Sequence, residues 1–370
     1  MRRASFFALL AVFSALPASA AETTKDRLSK YFGGWYSVCP GTSVTVSELR
    51  EIAIRGYEAY KVERRCDLKN RNEMSITLVN RAADQVFVGE VLHSDERKNE
   101  PFAAAKDVPQ IEAALKDAYG VPVSIQVDPA GVASESPVRT ENLLPIRVLL
   151  RQAPEATASV SGFVSADGAS LLLGSFRPLG EDPAALRERA LAESPAGRPS
   201  KGSFIVTAFM DFQCDRCRVR VPKVRDFVWS RGGTLDVRFL PLVKVHNWAF
   251  AAAESAAALA NVSPELYAKY EEALAPRASG MTESGARGIG SDVAEAAGVR
   301  EAYEAELSSG RARDRVVQDI ELALSLGLNS TPVFFFRGAQ LTGEPGLAED
   351  AIQSGLGNAA EASRPGSSRP

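Results

Sequence analysis

Two thiols separated by two residues, Cys214-Asp215-Arg216-Cys217, are the side chains of this sequence best suited to chemistry. Residues three apart on a helical turn share a face. If Cys214 opens a helix, unpaired N–H groups and the helix dipole hold its sulfur as a thiolate, and Cys217 can reach back to displace a mixed disulfide formed there. Cys214 is then the attacking sulfur and Cys217 the resolving one. In their environment, Asp215 should oppose that thiolate and Arg216 favour it. The same spacing also serves metal sites and permanently closed disulfides. Zinc would want a second pair of ligands, yet the chain has only two histidines, His93 and His246, and no second C-x-x-C. Redox chemistry is therefore preferred to an inert disulfide, and an inert disulfide to a metal site; no metal and no cofactor is expected.

The surrounding pattern supplies elements to hold such a pair. An apolar run, Phe204 to Phe209, reads as a buried strand; an amphipathic helix then extends to about Arg231, and a second strand covers Leu235 to Leu240. An alanine-rich helical stretch runs from about Trp248 to Leu326, punctuated by Pro264, Pro276, Gly280, Gly288 and Gly298. Strand-like Pro332 to Phe336, the turn Arg337-Gly338 and Gln340-Leu341 follow. This order implies an α/β layer with a helical insertion over 201–356.

Upstream, 21–180 reads as an α+β region, with strands at Ser75–Val79, Val86–Leu92, Ile146–Leu150, Val160–Val164 and Leu171–Phe176 and a helix at Val108–Tyr119. At an offset of 85 residues, Ser75–Leu92 overlays Val160–Arg177, with Gly89 on Gly174. Tandem units at about 21–100 and 101–180 would explain the match, and so would the general likeness of two apolar hairpins. Between Glu181 and Lys201 a short helical pattern, Pro183 to Glu193, gives way to breakers, marking a linker over 181–200. Residues 357–370 read as a disordered tail. Cys39 and Cys66 are left to pair with each other; such a bridge would stabilise the N-terminal region by roughly 3 kcal/mol.

The first twenty residues match a secretory signal: Arg2-Arg3, an apolar run from about Phe6 to Leu16, then Ala18-Ser19-Ala20, with cleavage expected after Ala20. The run is shorter than the ~20 residues a membrane span needs. Export to the periplasm or beyond is the expectation, in a compartment where disulfides persist. The 370 residues, 45% hydrophobic and 24% charged, suit a multidomain globular protein, and a net charge of −3 offers no field for nucleic acid.

Four segments together resemble the DsbA-like members of the thioredoxin superfamily: Met210-Asp211-Phe212-Gln213-Cys214-Asp215-Arg216-Cys217; Pro222; Leu240-Pro241-Leu242 leading to His246; and Ser330-Thr331-Pro332-Val333-Phe334-Phe335-Phe336-Arg337-Gly338. The resemblance covers about 201–356 and implies a thioredoxin-like fold, disulfide exchange, and a cis peptide before Pro332 in a loop facing the dithiol, where Thr331 and Pro332 would contact an extended substrate. It places His246 at the entrance to the inserted helices, in a structural or surface role; His93 reads as a solvated loop residue. The family's buried carboxylate six positions before the first cysteine is Ala208 here, leaving Asp211, Asp215 or water to move the proton. The domain order also resembles exported disulfide isomerases of the DsbC and DsbG type. It implies cysteine-containing exported proteins as clients, a membrane redox partner, and a homodimer formed through the N-terminal region. A non-catalytic client-binding or assembly protein of the same fold is the alternative.

Overall fold

A computed structural model describes residues 22–33, 42–66, 71–82, 84–93, 124–127, 142–149, 159–166, 169–194, 202–341 and 346–362. Cys39 and the helix expected at Val108–Tyr119 lie outside the described residues, and of Cys66 only the backbone, at the end of a strand, is described.

The N-terminal region is one antiparallel sheet. Its strands are β1 (Thr42–Glu48), β2 (Tyr57–Cys66), β3 (Arg71–Asn80), β4 (Gln85–His93), β5 (Ser124–Val127), β6 (Leu143–Leu149), β7 (Ser159–Ser165) and β8 (Ser170–Pro178), in the order β1-β2-β3-β4-β8-β7-β6-β5. Two four-stranded halves thus meet at β4 and β8. Shifted by the 85-residue offset, β4 becomes β8 residue for residue, and Gly89, which the shift carries onto Gly174, is also Gly174's cross-strand partner. The halves are therefore related by a local twofold through that pair. Only glycine fits there: both residues have positive φ (152° and 140°), and a Cβ on Gly89 would lie 2.1 Å from the Leu173 carbonyl oxygen.

Alternation puts successive side chains on opposite faces. On one face Val79, Val86 and Val88 pack with Leu28, Tyr31 and Phe32 of helix α1 (Thr24–Gly33); on the other Leu78, Phe87, Phe163 and Leu172 form a separate core.

The C-terminal domain carries a four-stranded sheet, β10-β9-β11-β12, built from β9 (Ile205–Met210), β10 (Thr234–Phe239), β11 (Val333–Phe336) and β12 (Ala339–Leu341). β9 is apolar along nearly its whole length because it is central and covered on both faces; it pairs parallel with β10 and antiparallel with β11. The chain reaches β10 through α3 (Asp215–Trp229). Five helices then intervene before β11: α4 (Ala249–Val262), α5 (Pro264–Leu274), α6 (Glu283–Ala296), α7 (Arg300–Ser308) and α8 (Arg311–Ser325). Alanines of α4, among them Ala252, Ala256 and Ala258 at 0% exposure, let the other four approach closely. Pro264, Gly280 and Gly298 do break helices, but Gly288 lies within α6, whose start is fixed instead by Thr282 accepting from the Gly285 N–H.

The helical pattern expected at Pro183–Glu193, within the 181–200 linker, is helix α2 (Pro183–Ala192), and it is packed. Leu186 joins the core under α1, Leu191 joins Phe209, Leu322 and Phe335, and buried Arg187 donates to the Gly338 carbonyl at 2.6 Å. The two sheets are further tied by α8, whose Val317 and Leu324 pack on Val148, Val160 and Leu173 while Glu321 accepts from Ser161 Oγ at 2.6 Å. The start of the expected tail, from Gly357 to Ala362, is helical instead: α9 (Leu347–Ala362) is anchored by buried Ala348 and Ile352 and by an Arg220–Glu349 ion pair at 3.0 Å. Among the described residues, no helix is long and apolar enough to cross a membrane.

Candidate active site

Cys214 is the residue that caps α3 at its N-terminus (φ −71°, ψ 114°), so its sulfur sits where the first turn's N–H groups have no helical partner. The turn ahead of it is held from below by Phe212, which is buried and stacks among Phe239, Tyr267 and Tyr270. Arg218 holds it from the side, donating at 2.9 Å to the carbonyls of both Phe212 and Gln213. Cys214 is partly exposed, whereas Cys217, one turn on, is at 0%.

The two sulfurs differ in acidity. Cys214 is lowered to about 6, chiefly because the Cys217 thiol donates to it; the Cys217 N–H and the Thr331 hydroxyl add to this, against burial and the Asp211 charge. Cys217 is pushed far up, first by burial and then by the same bond seen from the donor's side. The pair is thus arranged for a thiolate at the accessible position and a protonated thiol behind it.

Across from the dithiol, the Thr331–Pro332 peptide is cis, and Cys214 Sγ lies 3.6 Å from the Thr331 carbonyl oxygen. The structure therefore brings Cys214, Cys217 and the Thr331-Pro332 loop together. Asp215 and Arg216 are exposed, and Asp215 is paired with Arg218. The carboxylate that bears on Cys214 is instead Asp211, buried at 1%. Two arginines of this helix have structural partners: Arg218 secures the turn and Arg220 is buried against Glu349.

His93 is placed differently from the expectation, whereas His246 does lie in the loop entering the inserted helices and has a partner at the dithiol that was not foreseen. His93 ends β4, where its Nδ1 meets Ser170 Oγ at 2.8 Å across the β4–β8 pair. His246 is hydrogen-bonded through Nδ1 to Asp211 Oδ2 at 2.8 Å, one residue removed from the dithiol. Sequence reasoning missed this because the two are 35 positions apart; the signal available was the loop Leu240–His246 itself, which returns to Asp211 through the Leu242 N–H at 2.7 Å. Ala208 is buried in β9, so the position of the expected carboxylate is apolar. Among the described residues, no group of three or more His, Cys, Asp or Glu is placed to hold a metal.

Residues 199–351 match the family model described as thioredoxin. Solved structures similar to the chain include the thiol-disulfide exchange protein alpha-DsbA2 of Wolbachia pipientis, 15% identical, with 48% of this chain and 97% of that one covered at a TM-score of 0.38. Another is a thioredoxin-like oxidoreductase of Silicibacter pomeroyi, 23% identical over 46% and 96% at 0.37. A third is the catalytic domain of Proteus mirabilis ScsC, 14% identical over 48% and 97% at 0.39. No curated protein matches the chain.

Proposed function

Because residues 199–351 belong to the thioredoxin superfamily, we propose that the protein is a thiol-disulfide oxidoreductase that exchanges disulfides with polypeptides through Cys214 and Cys217. One observation carries the reading: the accessible sulfur is the acidic one, and the sealed sulfur is its hydrogen-bond donor. The Cys214 thiolate attacks a client disulfide, forming a Cys214–client bond and releasing the client's other sulfur as thiolate. Cys217, on losing its proton, attacks Cys214; the client's second thiolate leaves and a Cys214–Cys217 disulfide remains. When a client thiol attacks the mixed disulfide first, the net result is isomerisation. Thr331 and Pro332 would align an extended client beside the sulfur through exposed backbone groups.

The signal-like first twenty residues support export, so that clients would be cysteine-containing exported proteins, with a membrane redox partner resetting the dithiol. An isomerase or reductase direction is preferred to oxidase on the domain layout. The two halves of the N-terminal sheet already pair within one chain, so a homodimer through this region would use an outer strand, β1 or β5. The test is insulin reduction and refolding of scrambled ribonuclease, with wild type and Cys214→Ser. Turnover in the wild type that vanishes in the variant supports the proposal; turnover that survives the substitution refutes it.

A second reading, a client-holding protein without turnover, draws support from an apolar cavity of about 470 Å³ between the sheets, lined by Ile76, Val91, Leu173, Leu242, Phe250 and Leu324 among others. Client binding unaffected by Cys214→Ser, with no catalysis in either protein, would favour it.

A further inference from the structure

Asp211 holds both cysteines with its main chain: its N–H donates to Cys217 Sγ at 3.4 Å, and its carbonyl accepts from the Cys214 N–H at 3.2 Å. Its carboxylate side chain has 0% exposure and faces the other way. Oδ1 accepts from the Gln213 N–H at 2.7 Å, and Oδ2 from the Leu242 N–H at 2.7 Å and from His246 Nδ1 at 2.8 Å. The contact with Cys217 is thus made by the Asp211 amide, so the carboxylate reaches the dithiol as a charge. Two of its three donors are neutral amides. His246 is the one that can become a cation, and its side chain, 22% exposed, can exchange a proton with solvent.

The other charged groups nearby have partners of their own. Arg218 is bound to Asp215 and to the Phe212 and Gln213 carbonyls, and Lys244, on the same loop as His246, to Glu90 of β4. Arg225 and Glu271 pair with each other beneath the dithiol, beside Tyr267. Arg216 is exposed.

Resting on the reading of Cys214 and Cys217 as the exchanging pair, we propose that Asp211 and His246 are a positioning pair that sets how readily Cys214 exists as a thiolate. With His246 protonated, the pair is neutral and Cys214 meets little opposing charge. With His246 neutral, the buried carboxylate repels the thiolate. The proton involved passes between solvent and the imidazole; no electron moves. Since stabilising the thiolate stabilises the reduced dithiol, the protein becomes the stronger oxidant when His246 is charged.

The test is the pH titration of Cys214 in the reduced full-length chain, read by thiolate absorbance and by alkylation rate with Cys214→Ser as blank, together with the equilibrium against glutathione. Asp211→Asn should move the Cys214 midpoint down by about one unit, and His246→Asn, which keeps a neutral donor, up by about one unit. In the double variant the histidine effect should vanish, because it acts only through Asp211. The glutathione equilibrium should move with the midpoint, toward the more oxidising side for Asp211→Asn. A merely structural role would shift both single variants the same way. Shifts of like sign, or no shift in His246→Asn, overturn the pairing while leaving disulfide exchange standing; a wild-type Cys214 that titrates as an ordinary thiol defeats the exchange reading itself. Should Asp211→Asn fail to fold, His246→Asn and His246→Gln decide the matter.

Discussion

The difference in acidity between the two cysteines can be turned into a rate. An ordinary thiol at 9.0 is about 1% thiolate at pH 7, whereas Cys214, lowered to about 6, is about 90%, an advantage of about 90-fold. A less basic sulfur is also a poorer nucleophile: with a Brønsted slope of about 0.4–0.5, three units cost about 16- to 32-fold. The net gain over a free peptide thiol at pH 7 is therefore only about 3- to 6-fold. What distinguishes Cys214 is the shape of the profile, because its iodoacetamide rate should level off above a midpoint near 6 while a free thiol's rate still climbs tenfold per unit. At pH 5 the advantage should reach about 30- to 60-fold, where the thiolate fractions differ by nearly a thousand. Stopped alkylation followed by mass spectrometry reads this directly at Cys214. A midpoint above about 8 would refute the argument that the Cys217 thiol and the α3 amides hold the anion.

Three further outcomes follow from the packing and charge. Because the folded value of Cys214 is depressed, its contribution to the stability of the reduced form is complete above about 9 and is lost as pH falls toward about 6; the melting temperature of the reduced protein relative to reduced Cys214→Ser should decline across that window and level off below it. Asp319→Ala removes a fully buried carboxylate that pairs with Arg238 at 3.2 Å and accepts from the Phe239 N–H at 3.0 Å; urea denaturation should show a loss of about 3–5 kcal/mol, and a loss below about 1 would mean the network is dispensable. Gly89→Ala places a methyl group against the Leu173 carbonyl at the centre of the long sheet, and should cost about 1–3 kcal/mol and speed proteolysis of the N-terminal region; unchanged digestion would argue against the close β4–β8 approach.

The dithiol and its helix were legible because each leaves a local mark, an apolar run and a pair of cysteines at helical spacing; the Thr331-Pro332 loop showed locally only as a strand opening on proline, and its place opposite the dithiol came from the family resemblance alone. The five N-terminal strands read from sequence, β3, β4, β6, β7 and β8, carry branched and aromatic residues on at least one face. β1 and β2 did not stand out. Thr42–Glu48 is polar at most positions, and Tyr57–Cys66 spreads five charged residues among Tyr60, Val62 and Ala59, so pairing with neighbours fixes them as strands where composition does not. The repeat was visible as an offset, but its meaning lay in pairing: no single-sequence pattern tells that Gly89 faces Gly174. α2 was legible as a helix but not as a packed one, because its value lies in long-range contacts, Arg187 with Gly338 and Leu191 with Leu322. The contact of His246 with Asp211 was missed for the same reason, since only folding brings the loop after β10 back to Asp211.

The central claim is that Cys214 captures a polypeptide sulfur and Cys217 releases it. The most direct measurement is to mix reduced Cys217→Ser with a disulfide-containing unfolded protein and map any covalent adduct by mass spectrometry. The expected result is a stable mixed disulfide through Cys214, absent from the wild type after reaction and absent from Cys214→Ser. No adduct, or one joined through another cysteine, would contradict it.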